Sequence, residues 1–304
     1  MQRLNKNLTA NWHLYMAIPA LILFSLFFLY PLARGLRLSL MDWNGYSTPE
    51  FIGLSNFINF FKDDRALHDI ANTIIFALGS APLLNIFGLG LALLLNESSS
   101  STKRLSVKGK KSLIPAVRGM IYLPAVISPM IMGSVWYLLL QPGRGLFAIL
   151  LQRAGIDLTG NWMLSGSSAM SVIILVNVWQ FAGMTMVIYL AGLQSIPGEL
   201  YEAGRVEGAG RLQLFRYITV PQLLPAIRIN VITNIIGSLS VFEVILALTD
   251  GGPGYATESL SIFIMRMSYG SRTGFSTAVA MILFMIILIP VLISMRFFDK
   301  LEDA

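Results

Sequence analysis

Six apolar runs, each close to the roughly 20 residues that an α-helix needs to cross a bilayer, constrain this chain more than any other feature. They cover residues 14–32, 70–95, 120–140, 169–193, 226–248 and 277–298. A soluble domain carries about 25% charged residues. This chain carries 12%, against 55% hydrophobic, in 304 residues. In lipid the backbone must satisfy its own hydrogen bonds, so runs of this length become helices. The expectation is an all-α integral membrane protein with six transmembrane helices, forming one transmembrane domain over 1–304 with no separate soluble domain. A cleaved signal peptide is the rival reading of the first run, but the PLARG that closes it offers no small-residue cleavage site. It is read as an uncleaved span.

The polar residues exclude several kinds of chemistry. Cysteine is absent, and the two histidines, His13 and His68, lie far apart. No thiolate or histidine metal site and no Ser, His and Asp set can be assembled, so no enzyme is expected from this chain alone. GKKS at 109–112 resembles the end of a phosphate loop, but lysine stands where the hydroxyl belongs and no strand precedes it. The net charge of +6 comes from residues scattered among the runs, which argues for membrane orientation and against nucleic acid. Arg3, Lys6, the basic loop at 97–112, Arg118, Arg205, Arg211, Arg216, Arg228, Arg296 and Lys300 fall on one side of a six-span chain. That side holds most of the Lys and Arg and reads as cytoplasmic, with both termini inside.

The longest polar interruption, residues 195–225, lies on the same side. It reads SIPGELYEAGRVEGAGRLQLFRYITVPQLLP. Pro197 fits a helix start, and Glu199 and Glu202 follow where a helix dipole favours carboxylates. Gly208 and Gly210 break the helix, and Leu212, Leu214, Phe215 and Ile218 resume an apolar pattern. Two short helices joined at an elbow are predicted. Free helices of this length are marginal in water, so they need a surface to pack on.

This pattern resembles the EAA loop of permease subunits in bacterial ABC importers: Glu202 and Ala203, Gly208 six residues after the glutamate, then Ile218 and Pro221. Within that group the chain is similar to carbohydrate permeases of the maltose and glycerol-phosphate type. The likeness rests on AGLQSIPGELYEAGRVEGAG and LTDGGPGYATESL, supported by LSLMDWNGY, NTIIFAL and YLPAVISP in the family's order. Gly204 departs from the second alanine of the motif and lowers helix propensity by up to about 1 kcal/mol.

The resemblance implies an ABC type I importer permease fold in a bacterial cytoplasmic membrane. It also implies a homologous second permease, two cytoplasmic ATPases that bind ATP and Mg, an extracellular solute-binding protein and a sugar substrate, with no cofactor in this chain. Glu199, Glu202, Ala203, Gly204, Arg205, Gly208 and Ala209 would form the ATPase-coupling element, Glu202 facing a basic group of the ATPase. An ion-coupled secondary transporter of a polar solute is the alternative, although such proteins usually pair charges inside the membrane.

Polar groups inside the spans mark a candidate solute path. Asn177, Gln180, Phe181 and Met184 recur at i, i+3, i+4 and i+7. Amides and an aromatic ring suit the hydroxyl edges and CH faces of sugars, and helix-to-helix hydrogen bonding is the competing role of both amides. Ile236, Leu239, Ser240 and Glu243 repeat the spacing, and the family commonly has an acid after Phe, as in Phe242 and Glu243. A carboxylate at membrane depth faces a cavity or a partner, so Glu243 reads either as a substrate contact or as an inter-subunit or interface-level group. Shorter features are predicted outside the spans: a helical stripe at Leu54, Phe57, Ile58 and Phe61, a weaker one at Leu146, Ile149 and Leu150, and a non-helical TDGGPGYATES followed by an interfacial or re-entrant helix.

Overall fold

The computed structural model describes residues 12–96, 113–141, 144–155 and 162–302. Arg3, Lys6 and the basic loop at 97–112 lie outside the described residues. Among those described, the regular elements are helices apart from one small hairpin. In order the elements are α1 (Trp12–Phe24), a π turn (Ser25–Leu29), α2 (Tyr30–Ser39), β1 (Met41–Asp42), β2 (Glu50–Phe51), α3 (Ser55–Phe60) and α4 (Asp64–Leu95). Next come α5 (Ile114–Val126), α6 (Pro129–Leu139), α7 (Leu146–Arg153) and α8 (Gly166–Ser195). Then follow α9 (Gly198–Val206), α10 (Arg211–Leu214), a π turn (Phe215–Thr219), α11 (Val220–Gln222), α12 (Leu224–Leu239), α13 (Glu243–Thr249), α14 (Leu260–Tyr269) and α15 (Thr273–Glu302).

Four helices, Met16–Ser39, Asp64–Leu95, Gly166–Ser195 and Thr273–Leu301, are long and apolar enough to cross a membrane. Two bent pairs raise the number to as many as six if each pair is one span. The first helix runs beyond the apolar stretch to Ser39. The π turn before Pro31 explains this, because proline cannot donate the helical bond, and the Tyr30 N–H reaches back to Ser25 O instead. The third and fifth apolar runs are not single helices. α5 and α6 meet at 96°, and α12 and α13 at 45°. Pro129 drives the first break, since the residue before a proline is pushed out of the helical region and Ser128 has ψ 133°.

The chain divides into two compact units. One comprises Met1–Asp63 and Ile264–Ile282. In it β1 and β2 pair antiparallel, Met41 opposite Phe51, and the Asn56 amide donates to Ser39 O and Met41 O, both at 2.9 Å. The stripe at Leu54–Phe61 forms α3, as its spacing predicts.

The other unit, Asp64–Phe263 and Leu283–Ala304, is built around α4 and α8. Glycines let these helices meet closely. A Cβ on Gly79 would lie 2.7 Å from Ile174 Cδ1, and one on Gly88 would run into Thr185. Gly88 thus serves a contact within this chain, and Ala77 and Ala81 line an apolar groove with Pro82, Ile286 and Pro290. α5 packs on α8 just as tightly, where a Cβ on Gly183 would strike the Ile121 carbonyl oxygen. The upper halves of the two broken runs, α6 and α13, pack on each other at Gly133 and Ala247. At the far end of α4, Ala92, Met186, Tyr189, Leu190, Leu193, Ile196, Leu223 and Ala226 form a buried core cluster.

At the opposite end of α4 the non-helical 250–259 loop is bolted down. Arg65 donates to both carboxylate oxygens of Glu258, at 2.8 and 2.9 Å, and stacks 3.7 Å above the Tyr255 ring. Glu258 is 0% exposed. The Asn72 amide donates to Tyr255 O and Glu258 O, and the Leu260 N–H to Thr73 Oγ1. Ser259 Oγ donates to Val241 O, a carbonyl freed by the break between α12 and α13. The loop therefore fixes the break as well as itself.

Candidate functional site

Two features of the second unit gather the residues singled out by the sequence. The first is the elbow. Pro197 caps α9 in an extended conformation (ψ 130°), and Glu199 lies in the first turn. The helix ends at Gly208, whose φ of +84° is a conformation that costs an L side chain about 1–2 kcal/mol. The Ala209 N–H reaches Gly204 O at 2.8 Å and the Gly208 N–H reaches Arg205 O at 3.1 Å, the paired bonds that close a helix on a left-handed residue. Gly210 then starts the second limb, its N–H held by Gln213 Oε1 at 2.7 Å.

The limbs fold onto each other. Tyr201 Oη lies 2.9 Å from Thr219 Oγ1, and a Cβ on Gly204 would approach Leu214 Cδ2 to 2.7 Å and Ile218 Cδ1 to 3.2 Å. Gly204 thus departs from alanine at the point where the limbs meet most closely. Helix α9 forms through it, because packing supplies what propensity withholds. Tyr201 and Ile218 also pack against the buried cluster at the end of α4.

The other face is open. Glu199, Glu202, Ala203 and Arg205 are exposed, with Val206 at 89% and Leu212 at 77%. No ion pair joins Glu199 or Glu202 to another described residue. Two carboxylates thus stand beside two exposed aliphatic side chains on the outer face of the bend.

The second feature is a cavity of about 200 Å³ midway along α4 and α8. α4 gives it Leu84; α8 gives Asn177, Phe181, Met184, Thr185 and Ile188; α12 gives Asn230, Thr233, Asn234, Gly237 and Ser238. Three of the predicted path residues, Asn177, Phe181 and Met184, are brought together here. Gln180 is not among them: it is 0% exposed and its amide donates to Ile127 O at 3.0 Å, where the break between α5 and α6 frees a carbonyl. Ser240, Phe242 and Glu243 also lie outside the lining. Their spacing assumed an unbroken helix, and the break over Ser240–Phe242 turns Glu243 into the exposed first residue of α13, where the dipole favours its charge.

Asn230, Thr233, Asn234 and Ser238 were missed, although their signal was present. With Gly237 they recur at i, i+3, i+4, i+7 and i+8, one face of α12. Within the wall, Asn177 Nδ2 donates to Ser80 Oγ at 2.7 Å, and Asn230 Nδ2 and Asn234 Nδ2 to Thr185 O and Oγ1 at 3.3 and 3.5 Å. Ser238 Oγ is buried, in a residue 2% exposed, with no hydrogen-bond partner among the described residues.

Residues 105–302 match the family of binding-protein-dependent transport system inner membrane components. The chain belongs to that family. This permease is 34% identical to the probable ABC transporter permease protein YurN of Bacillus subtilis over 92% of the chain and 94% of the relative. It is 30% identical to the trehalose/maltose transport system permease protein MalF of Thermococcus litoralis, covering 90% of the chain and 88% of the relative. Among solved structures it resembles a chain of a bacterial alginate ABC transporter in complex with alginate pentasaccharide-bound periplasmic protein, with a TM-score of 0.80, 26% identity and 99% of each chain covered. The permease is therefore a multi-pass membrane transport subunit and not a catalytic enzyme, and the ion-driven alternative has no support.

Proposed function

We propose that this permease is one of two homologous membrane subunits of an ATP-driven, binding-protein-dependent importer of sugars or oligosaccharides in the bacterial cytoplasmic membrane. The elbow carries this reading: a rigid bend, closed by Gly208, presents exposed Glu202 with exposed Val206 and Leu212. In the proposed assembly it seats in a cleft of a cytoplasmic ATPase, one of two that bind ATP and Mg, and Glu202 meets a basic group there. Because the limbs pack on each other, and on the cluster at the end of α4, the elbow moves as a body and carries α4, α8 and α12 with it. These are the helices that wall the cavity, so closure of the ATPases changes the cavity's access.

Each bent pair counted as one span gives six spans with both termini in the cytoplasm, the orientation that the Lys and Arg distribution supports. The cavity is smaller than the roughly 300–1,000 Å³ of complete ligand pockets. A second permease would supply the facing wall, and an external solute-binding protein would deliver the sugar, a delivery supported by the likeness to a transporter solved with its periplasmic protein. The test is Glu202→Lys in the assembled transporter. The variant is expected in the membrane at normal levels with uptake and substrate-stimulated ATP hydrolysis both lost. Unimpaired uptake would remove the elbow from the coupling route.

A further inference from the structure

We infer that the wall this chain contributes to the solute path selects an uncharged saccharide and rejects uronate-bearing ones, through acceptor oxygens that its own hydrogen bonds leave facing the cavity. The inference rests on the proposed role of the cavity as solute path.

No Lys, Arg, His, Asp or Glu is among the lining residues. An anionic solute is normally met by Arg or Lys, which offer charge-assisted and often bidentate bonds. A carboxylate brought against this wall would lose hydration and find no cation on it, which costs several kcal/mol for an ion left unpaired. The amides sharpen the discrimination. Asn177 and Asn234 donate their N–H groups to Ser80 and Thr185, which leaves their Oδ1 atoms uncommitted. Those oxygens accept and cannot donate. A sugar hydroxyl satisfies them, and a carboxylate, acceptor only, opposes them.

Phe181 offers an apolar face for the CH side of a pyranose ring, beside the polar row of α12. The likeness to an alginate transporter makes the point concrete, because a scaffold of the same shape serves an acidic polysaccharide there, while the lining here carries no cation.

The chain has no cysteine, so one introduced thiol reports on the cavity in the assembled transporter. Met184→Cys and, as a second site, Thr233→Cys are labelled with a small uncharged maleimide in the presence of maltose, lactose, trehalose or raffinose, of digalacturonate, or of a glucosamine disaccharide. At least one neutral sugar is expected to slow labelling at a concentration roughly tenfold lower than the uronate needs, a factor equal to about 1.4 kcal/mol. Asn234→Leu, combined with the thiol, should abolish that protection. Protection by digalacturonate or by the amino sugar at equal or lower concentration overturns the inference. If no saccharide of any charge slows labelling at either thiol, the cavity is not the solute path and the inference falls with that reading. Loss of coupling in Glu202→Lys would be untouched by that result.

Discussion

The 250–259 loop and the elbow occupy opposite ends of α4, a helix of 32 residues and so about 48 Å long at 1.5 Å per residue. Both interrupt apolar runs, both contain glycines in left-handed conformation, and both were recognisable as unusual from their sequence. They are held in different ways. The loop turns its charge inward, with Glu258 buried against Arg65 and its backbone carbonyls taken by Asn72. The elbow turns its carboxylates outward, and its limbs hold each other mainly by apolar contact at Gly204, Leu214 and Ile218. The first has met its polar needs within the chain and can act as a fixed strut. The second leaves its carboxylates and two aliphatic side chains, Val206 and Leu212, exposed.

The largest effect is expected where the loop is bolted. Arg65→Ala leaves the Glu258 carboxylate in a fully buried position without its bidentate partner, a change that costs about 3–5 kcal/mol when one member of a buried pair is lost. Glu258→Gln should cost less, about 1–3 kcal/mol, because Arg65 is partly exposed and the amide still offers an acceptor. Thermal unfolding of the purified transporter measures both. Equal, small losses for the two variants would mean that the pair is a surface contact and not a bolt.

The elbow responds differently. A side chain at 204 has no room before Leu214 and Ile218 shift, so Gly204→Val should cost about 1–3 kcal/mol by overpacking. Its consequence should be functional before it is structural: insertion into the membrane is retained, and the ratio of transport to ATP hydrolysis falls because the limbs no longer move together. A variant that is fully coupled would show that the limbs need not touch.

The two regions also show what can be read from residues alone. The elbow was legible because its signals are local: a proline start, early carboxylates, and a glycine at the stop. Four long apolar helices were legible because their lengths match a bilayer, whereas the third and fifth runs are bent pairs. The bolt was not, since Arg65 and Glu258 stand 193 residues apart and nothing local marks either as the partner of the other. Gln180 illustrates a second limit. Its spacing with Asn177 was right, yet the break between α5 and α6 created a free carbonyl that captured it. The same limit leaves Ser240 and Glu243 outside the cavity, whose lining on the fifth run is Asn230, Thr233, Asn234 and Ser238. Periodicity survives only as far as the helix does, and Pro129 announced one break while nothing comparable announced the other.

The smallest effect separates the two kinds of attachment most cleanly. Tyr201→Phe removes the hydroxyl that meets Thr219 and leaves the ring packed against the cluster at the end of α4. Thr219 Oγ1 keeps a second partner, Leu214 O at 3.4 Å, so no buried group is orphaned. The expected cost is that of one hydrogen bond, about 0.5–1.5 kcal/mol. Because the bond joins only the limbs, the loss should appear as local opening and not as global unfolding. Amide hydrogen exchange over 211–219 should accelerate by up to about tenfold, the factor that 1.4 kcal/mol corresponds to, with exchange over 250–259 unchanged. No acceleration in the second limb would mean that Gly204, Leu214 and Ile218 alone hold the bend, which would make apolar packing the whole basis of its rigidity.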